Sequence, residues 1–102
     1  MHKLIELSKI FSDENRLNII RLLLRDKTLC VCEICDTLGL SQPLVSRHLK
    51  QMRESGVVLA DKDRKWVHYS LKKEKHPLFE TVVNELEKTL CELPEIIVCK
   101  KS

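Results

Sequence analysis

The sequence predicts a mainly helical domain with one β-hairpin inserted before its last helix. Three observations support this fold class. Apolar residues recur at helical spacing along most of the chain, the segment after Gly56 changes to the alternating spacing of strands, and two helices are separated only by "GLS". A chain of 102 residues lies within the range of a single domain. We assign residues 1–93 to that domain and residues 94–102 to a C-terminal tail, for which no element is predicted.

Two amphipathic helices are predicted before the first cysteine. In "MHKLIELSKIF", Leu4, Leu7 and Phe11 recur at helical spacing. The second helix begins in "SDENRLNIIRLLLRD", where either Ser12 or Asp13 is a suitable N-cap and where leucines and isoleucines form an apolar stripe. The second helix therefore follows the first almost directly.

A short third helix and a longer fourth helix form the predicted helix-turn-helix. Val31, Ile34 and Leu38 recur at spacings of three and four, and Gly39 suits the left-handed turn that ends a helix. In "LSQPLVSRHLKQMRESG" a serine N-cap and a proline in the first turn start a helix that is predicted from Gln42 to Ser55. The short glycine-containing connection between these two helices is typical of DNA-binding domains.

A hairpin and a last helix complete the predicted fold. The segments "VVLAD" and "KWVHYSL" are rich in strand-forming residues, and "DKDR" is a basic turn between them. The last helix is predicted in "HPLFETVVNELEKTLCEL", with Leu78, Val82 and Leu86 on one face and an end near Leu93. Four helices, two strands and a fifth helix make a winged helix-turn-helix. Because so small a chain buries a limited fraction of its surface, we expect it to be dimeric.

Charge and composition exclude several classes of protein. Lys3, Glu6 and Lys9 interrupt the apolar start of the chain, so neither a signal peptide nor a membrane span is expected, and we predict a cytoplasmic protein. Five cysteines in that compartment make a structural disulfide framework unexpected. The net charge of +3 permits a nucleic-acid partner. The sequence contains no nucleophile with a paired base and no phosphate-binding glycine loop, so we do not expect an enzyme.

The fourth helix is expected to present a DNA-reading face. On a helical wheel Val45, Leu49 and Met52 lie together towards the core, and the opposite side is polar. Such a face is also found on any solvated helix, but the tight turn before it and the basic hairpin after it favour DNA binding. His48 lies near the edge of the core, and both packing and DNA contact remain open for it. The residues expected to contact double-stranded DNA are Gln42, Ser46, Arg47, Lys50 and Gln51 on the helix and Lys62, Arg64 and Lys65 at the hairpin.

Three motifs in order, "LCVCEIC", "LGLSQPLVSRHLKQMRESGVV" and "KWVHYSL", resemble the ArsR/SmtB family of winged-helix metalloregulatory repressors. The resemblance extends from about Ile5 to Leu71, and the first motif is most similar to the effector site of the arsenical-resistance operon repressors. It implies a transcriptional repressor that leaves a twofold-symmetric operator when As(III) or Sb(III) binds. It also implies a homodimer joined by the first and last helices. The interface residues expected from it are Leu4, Leu7, Phe11, Leu78, Val82 and Leu86.

Within this resemblance Cys30, Cys32 and Cys35 are the expected metal ligands. As(III) takes three thiolates in a pyramid, whereas structural zinc takes four ligands. In one continuous helix Cys30 and Cys32 would lie about 200° apart. We therefore predict that the third helix starts at Cys32, with Cys30 extended before it and Cys35 one turn inside, and that the helix N-terminus lowers the thiol pKa values.

Three other interpretations of this cluster remain open. The cysteines suit a repressor of the same fold that responds to Cd(II), Pb(II) or Zn(II), or one that responds to thiol oxidation. Cysteine is also a common small buried hydrophobic residue, and the cluster would then have only a packing role.

Overall fold

The computed structural model describes residues 1–73 and 76–96. Its element order confirms the winged helix-turn-helix. The helices are α1 (His2–Phe11), α2 (Glu14–Asp26), α3 (Val31–Leu38), α4 (Gln42–Glu54) and α5 (Pro77–Glu87), the strands are β1 (Thr28–Cys30), β2 (Val58–Asp63) and β3 (Trp66–Leu71), and a 3-10 turn (Leu90–Glu92) follows α5. Most of the predicted C-terminal tail, including Cys99, lies outside the described residues.

Asp13 is the residue that starts α2. Its backbone is extended, and its carboxylate accepts hydrogen bonds from the backbone N–H groups of Asn15 at 2.8 Å and Arg16 at 3.3 Å. Two N–H groups that the first turn would otherwise leave unpaired are thereby satisfied. Of the two candidate caps in the sequence, Asp13 therefore takes this position.

A third strand, β1, joins the hairpin. The sheet has the order β1-β3-β2, and β1 pairs antiparallel with β3 so that Thr28 lies opposite Ser70 and Cys30 opposite His68. This strand was not predicted because three residues are too few to show alternation, and the residues that pair with it lie 38 to 42 positions away in the sequence. As a result, the first cysteine ends a strand that is hydrogen-bonded to the wing.

The last helix is shorter than predicted. α5 ends at Glu87 rather than near Leu93, and a 3-10 turn follows it. Two arginines of α2 bind the carbonyl groups of this segment: Arg21 donates to the carbonyl of Thr89 at 2.7 Å, and Arg25 donates to that of Pro94 at 2.7 Å. These hydrogen bonds compensate for the helical ones that are lost. The chain after α5 therefore lies against α2.

The core is formed by the apolar faces of the five helices and the start of β2. Val45, Leu49 and Met52 of α4 are fully buried, as the helical wheel predicted. They pack in one cluster with Ile19, Ile20, Leu22, Leu23, Ile34, Val57 and Phe79, among others. α4 is thus held by its apolar side and presents its polar side outward. No helix in residues 1–73 and 76–96 has the length and apolarity that a membrane span needs.

Candidate metal site and DNA-binding surface

The cysteine cluster lies at the start of α3, but the helix begins one residue earlier than predicted. Cys30, not Cys32, is the N-cap, with extended backbone at φ −91° and ψ 165°. Pairing with β3 holds Cys30 extended, and the Glu33 carboxylate accepts the Cys30 N–H at 3.1 Å, which is half of a capping box. Cys32 therefore lies inside the first helical turn.

The three sulfur atoms do not converge in this structure. Cys30 and Cys35 are buried, with 2% and 7% of their surfaces exposed, whereas Cys32 is exposed. Among the described residues no group of three or more histidine, cysteine or acidic side chains is placed to hold a metal ion. The predicted three-cysteine site is therefore present in sequence and close in space, but it is not assembled here.

Cys32 also differs from its neighbours in oxidation state. It is disulfide-bonded, against the expectation of reduced thiols, whereas Cys30, Cys35 and Cys91 are free. Its sulfur lies 3.5 Å from Oδ2 of Asp36. A disulfide sulfur is not a thiolate ligand, so Cys32 must be reduced before it can bind a metal ion.

The environment of Cys35 disfavours its thiolate. Burial raises the pKa of this thiol, and the negative charge of Asp36 raises it further. This is the opposite of the predicted lowering by the helix N-terminus, because Cys35 lies beyond the first turn, where that effect has fallen away. Cys35 is consequently a neutral thiol near pH 7.

The predicted DNA-contacting residues of α4 are all exposed. Ser41 caps the helix, since its hydroxyl accepts the N–H of Leu44 at 3.4 Å. All five predicted residues of the helix are exposed, namely Gln42, Ser46, Arg47, Lys50 and Gln51. His48, for which two roles were open, is buried at 6% exposure, and its Nδ1 lies 3.2 Å from a guanidinium nitrogen of Arg16. Its surroundings favour packing over DNA contact.

The tip of the hairpin is tighter than predicted. Asp63 pairs with Trp66, so the turn consists only of Arg64 and Lys65, and "DKD" belongs to β2. Arg64 has φ 59°, in the left-handed region that glycine and asparagine adopt most easily. The sequence has no glycine or asparagine at these positions that would have indicated a two-residue turn. An arginine therefore occupies a conformation that costs it about 1 kcal/mol.

Only part of the predicted dimer surface is accessible. Leu4 is 45% exposed, as is Ile5, which was not assigned to the interface. Leu7 is fully buried within the chain and has no surface to offer a partner. Phe11 is turned towards Phe79, with ring centroids 6.2 Å apart. The other predicted interface residues, all partly buried on α5, are Leu78, Val82 and Leu86.

A sequence profile described as "Bacterial regulatory protein, arsR family" matches residues 13–59, which run from the N-cap of α2 into β2. The arsenical resistance operon repressor of Escherichia coli (strain K12) is 54% identical over 67 residues, which are 66% of this chain and 57% of that protein. The cadmium resistance transcriptional regulatory protein CadC of Listeria innocua is 42% identical over 83 residues, 80% of this chain and 70% of that protein. The chain thus spans little more than half the length of the E. coli relative.

Solved structures share the whole fold. HlyU from Vibrio cholerae N16961 is similar with a TM-score of 0.73 and 32% sequence identity, and the match covers 88% of this chain and 94% of HlyU. This match covers a larger share of the chain than the family profile, which ends at residue 59.

The exposure of each described cysteine and the raised pKa of Cys35 predict an order of thiol reactivity. After full reduction, iodoacetamide at pH 7 should modify Cys32 and Cys91 at least about tenfold faster than Cys30 and Cys35, because thiolate character and access control the rate. Site-resolved mass spectrometry over a time course measures this order. In denaturant the differences should vanish, and a Cys35 that reacts in the folded protein as fast as Cys32 would contradict the described site.

Proposed function

Because the chain belongs to the ArsR family of bacterial regulatory proteins, we propose that it is a cytoplasmic homodimeric repressor that leaves its operator when As(III) or Sb(III) binds Cys30, Cys32 and Cys35. The observation that carries this proposal is the position of the cysteine cluster. It occupies the end of β1 and the first turns of α3, so the same residues connect to the wing on one side and to the helix-turn-helix on the other.

DNA binding uses two exposed basic surfaces in this proposal. The outward face of α4 enters the major groove, with Gln42 and Ser46 near base edges and Arg47 and Lys50 near guanine or phosphate. The wing tip adds Lys62, Arg64 and Lys65, which are all exposed. Phosphate contacts from these side chains supply affinity, and α4 supplies sequence preference.

Dimerisation follows from the apolar surface of α1. Leu4 and Ile5 are nearly half exposed on the helix whose other side packs into the core, and Met1, which precedes that helix, is 95% exposed. Apolar surface of this kind on so small a domain is stabilised by burial against a second copy. Two copies related by a twofold axis present two reader helices, which fits a twofold-symmetric operator.

Metal binding must rearrange the start of α3. Cys30 and Cys35 point into the core while Cys32 points outward, so three sulfur atoms can meet on one arsenic only if the first turn opens. Opening it breaks the hydrogen bond from the Cys30 N–H to Glu33. The change reaches α4 through the turn at Gly39. It reaches the wing through the pairing of Cys30 with His68, and a coupling of about 1 to 3 kcal/mol is typical of such control.

The protonation state of the thiols favours arsenite over divalent ions. Arsenous acid reacts with three neutral thiols to give an As(III) trithiolate and three water molecules, so no proton is released. Cd(II) forms three sulfur bonds only by releasing three protons, which costs more when burial raises the pKa of Cys35. Because the chain is similar to CadC, a cadmium-responsive repressor is the second candidate function. Because Cys32 is disulfide-bonded, a redox-responsive repressor is a further candidate.

The first test removes the exposed ligand. In the reduced protein, Cys32→Ser should bind an operator duplex as the wild type does but should not be released by arsenite, because two thiols cannot complete the trigonal site. Fluorescence anisotropy of a labelled duplex selected by the protein from a randomised pool measures both properties. Cys91→Ser, which also removes an exposed thiol, should respond normally. Normal release of Cys32→Ser would refute the assigned site, and release by peroxide without metal would favour the redox candidate.

The second test separates arsenite from cadmium by pH. Between about pH 6 and pH 8 the arsenite concentration that releases half of the DNA should change little, since the exchange is proton-neutral. Cadmium affinity should rise with pH by up to about a thousandfold per unit, because three protons leave. The same anisotropy titration is run at each pH. An arsenite response as steep as that of cadmium would contradict neutral-thiol exchange.

The third test concerns the wing tip. Arg64→Asn should raise the free energy of unfolding by up to about 1 kcal/mol, because asparagine tolerates the left-handed region. It should also weaken DNA binding and reduce the salt dependence of the affinity by about one phosphate contact. Denaturant unfolding and anisotropy at several salt concentrations measure the two effects. Lys88→Asn, which removes an exposed positive charge that lies outside the wing and α4, should leave the salt dependence unchanged.

A further inference from the structure

One arginine joins three helices of the domain. From α2, Arg16 donates through Nε to the carbonyl of Ile10 at 2.9 Å and through Nη2 to that of Lys9 at 2.8 Å. Its Nη1 donates to Oε1 of Gln51 at 2.9 Å and lies 3.2 Å from Nδ1 of His48. The guanidinium group thus links the C-terminal end of α1 to the middle of α4.

These contacts are of a kind that fixes an angle. The two carbonyl groups belong to the last turn of α1, where helical donors run out, and that of Lys9 also accepts from the hydroxyl of Ser12 at 2.7 Å. Hydrogen bonds from a charged, planar fork are stronger and more directional than neutral ones. A second link, from Nζ of Lys3 to the carbonyl of Ser55 at 2.8 Å, joins the same two helices further along. α1 and α4 are therefore braced at two points, of which Arg16 provides the one next to the reader face.

The chemistry of the Arg16 guanidinium dictates the state of His48. Guanidinium only donates, so Nδ1 of His48 must accept and the proton of the neutral ring lies on Nε2. That Nε2 is 4.0 Å from Oδ1 of Asp13 and has no hydrogen-bond partner among the described residues. Burial lowers the pKa of His48, Asp13 opposes this, and the charges of Arg16 and Arg47 lower it further. Protonation at Nδ1 would set two donors against each other and break the contact.

We propose that Arg16 is a positioning residue that sets the orientation of α4 relative to α1. In this proposal Gln51 holds the Arg16 side chain in place and does not contact DNA bases. The inference rests on the proposed homodimer. In that dimer α1 lies at the interface, so the angle between α1 and α4 determines the separation of the two reader helices. Spacing between the half-sites of the operator is then specified by the Arg16 contacts.

The experiment compares duplexes that differ only in half-site spacing. The tightest duplex selected from a randomised pool is altered by inserting or deleting one or two base pairs at its centre. Arg16→Lys keeps the positive charge but loses the planar guanidinium group. Gln51→Ala removes the amide oxygen that accepts from Nη1 of Arg16. Arg21→Lys is the matched control, since Arg21 also extends from α2 but donates to Asn18 and to the carbonyl of Thr89.

We expect the affinity of the wild type and of Arg21→Lys to fall at least about tenfold on the altered duplexes. A tenfold fall corresponds to the loss of about one hydrogen bond to a charged group. Arg16→Lys and Gln51→Ala should lose less than about threefold, with an unchanged salt dependence. If the wild type binds all spacings equally, the twofold homodimer of the proposed function is wrong. If the wild type discriminates and both variants discriminate equally well, the role of Arg16 is refuted.

A pH profile distinguishes this role from a general effect on folding. As the pH falls from about 7 towards 5, the wild type should lose spacing discrimination because Nδ1 of His48 becomes protonated and turns into a donor, while the contacts of α4 to phosphate persist. His48→Asn, whose amide oxygen takes the place of Nδ1, should give a flat profile with discrimination retained. A wild-type profile that is equally flat would refute the neutral-histidine contact. Thermal unfolding of every variant identifies any that does not fold, and Gln51→Ala, exposed at its surface, then carries the test.

Discussion

The pairing of β1 with β3 is the interaction on which the arrangement of this domain depends. Three residues of strand hold Cys30 extended opposite His68, and this extended backbone is what allows α3 to begin at the next residue. The same short strand sets the cysteine cluster against the wing, while the turn at Gly39 sets it against α4. Both parts of the molecule that are proposed to contact DNA are thus connected to α3, one by strand pairing and the other by a short turn.

Electrostatics at the two functional regions follow different rules. At the cysteines, burial raises the pKa of Cys35, and a neutral thiol suits the proposed effector, arsenous acid, whose hydroxide groups leave as water. At the brace between α1 and α4, a permanent cation is placed among carbonyl oxygens, an amide oxygen and a neutral ring nitrogen. This partly buried cation is stabilised by four acceptors because each replaces hydration that the guanidinium group has lost.

Periodicity and capping residues were sufficient to predict five helices, the hairpin and the buried face of α4, since those features arise from local spacing. Features that depend on distant partners were not predictable in this way. The three residues of β1 form a strand because β3 pairs with them. α5 ends early because Arg21 and Arg25 bind the carbonyl groups of the segment that follows it. Arg64 adopts a left-handed backbone because strand pairing closes a two-residue turn. Likewise, Leu7 followed the helical pattern of α1, but only packing shows that it faces the chain's own core.

The identity of the residue that caps α3 has a kinetic consequence. Oxygen side chains stabilise a helix start better than sulfur does, so a helix capped by Cys30 begins with a weak turn. Weakly held turns open locally many times before the rest of a domain unfolds. In the proposed mechanism, the effector therefore binds a minor conformation in which the first turn of α3 is already open. The rate at which DNA is released is then limited by how often this turn opens. A stronger cap would make a more stable protein and a slower sensor.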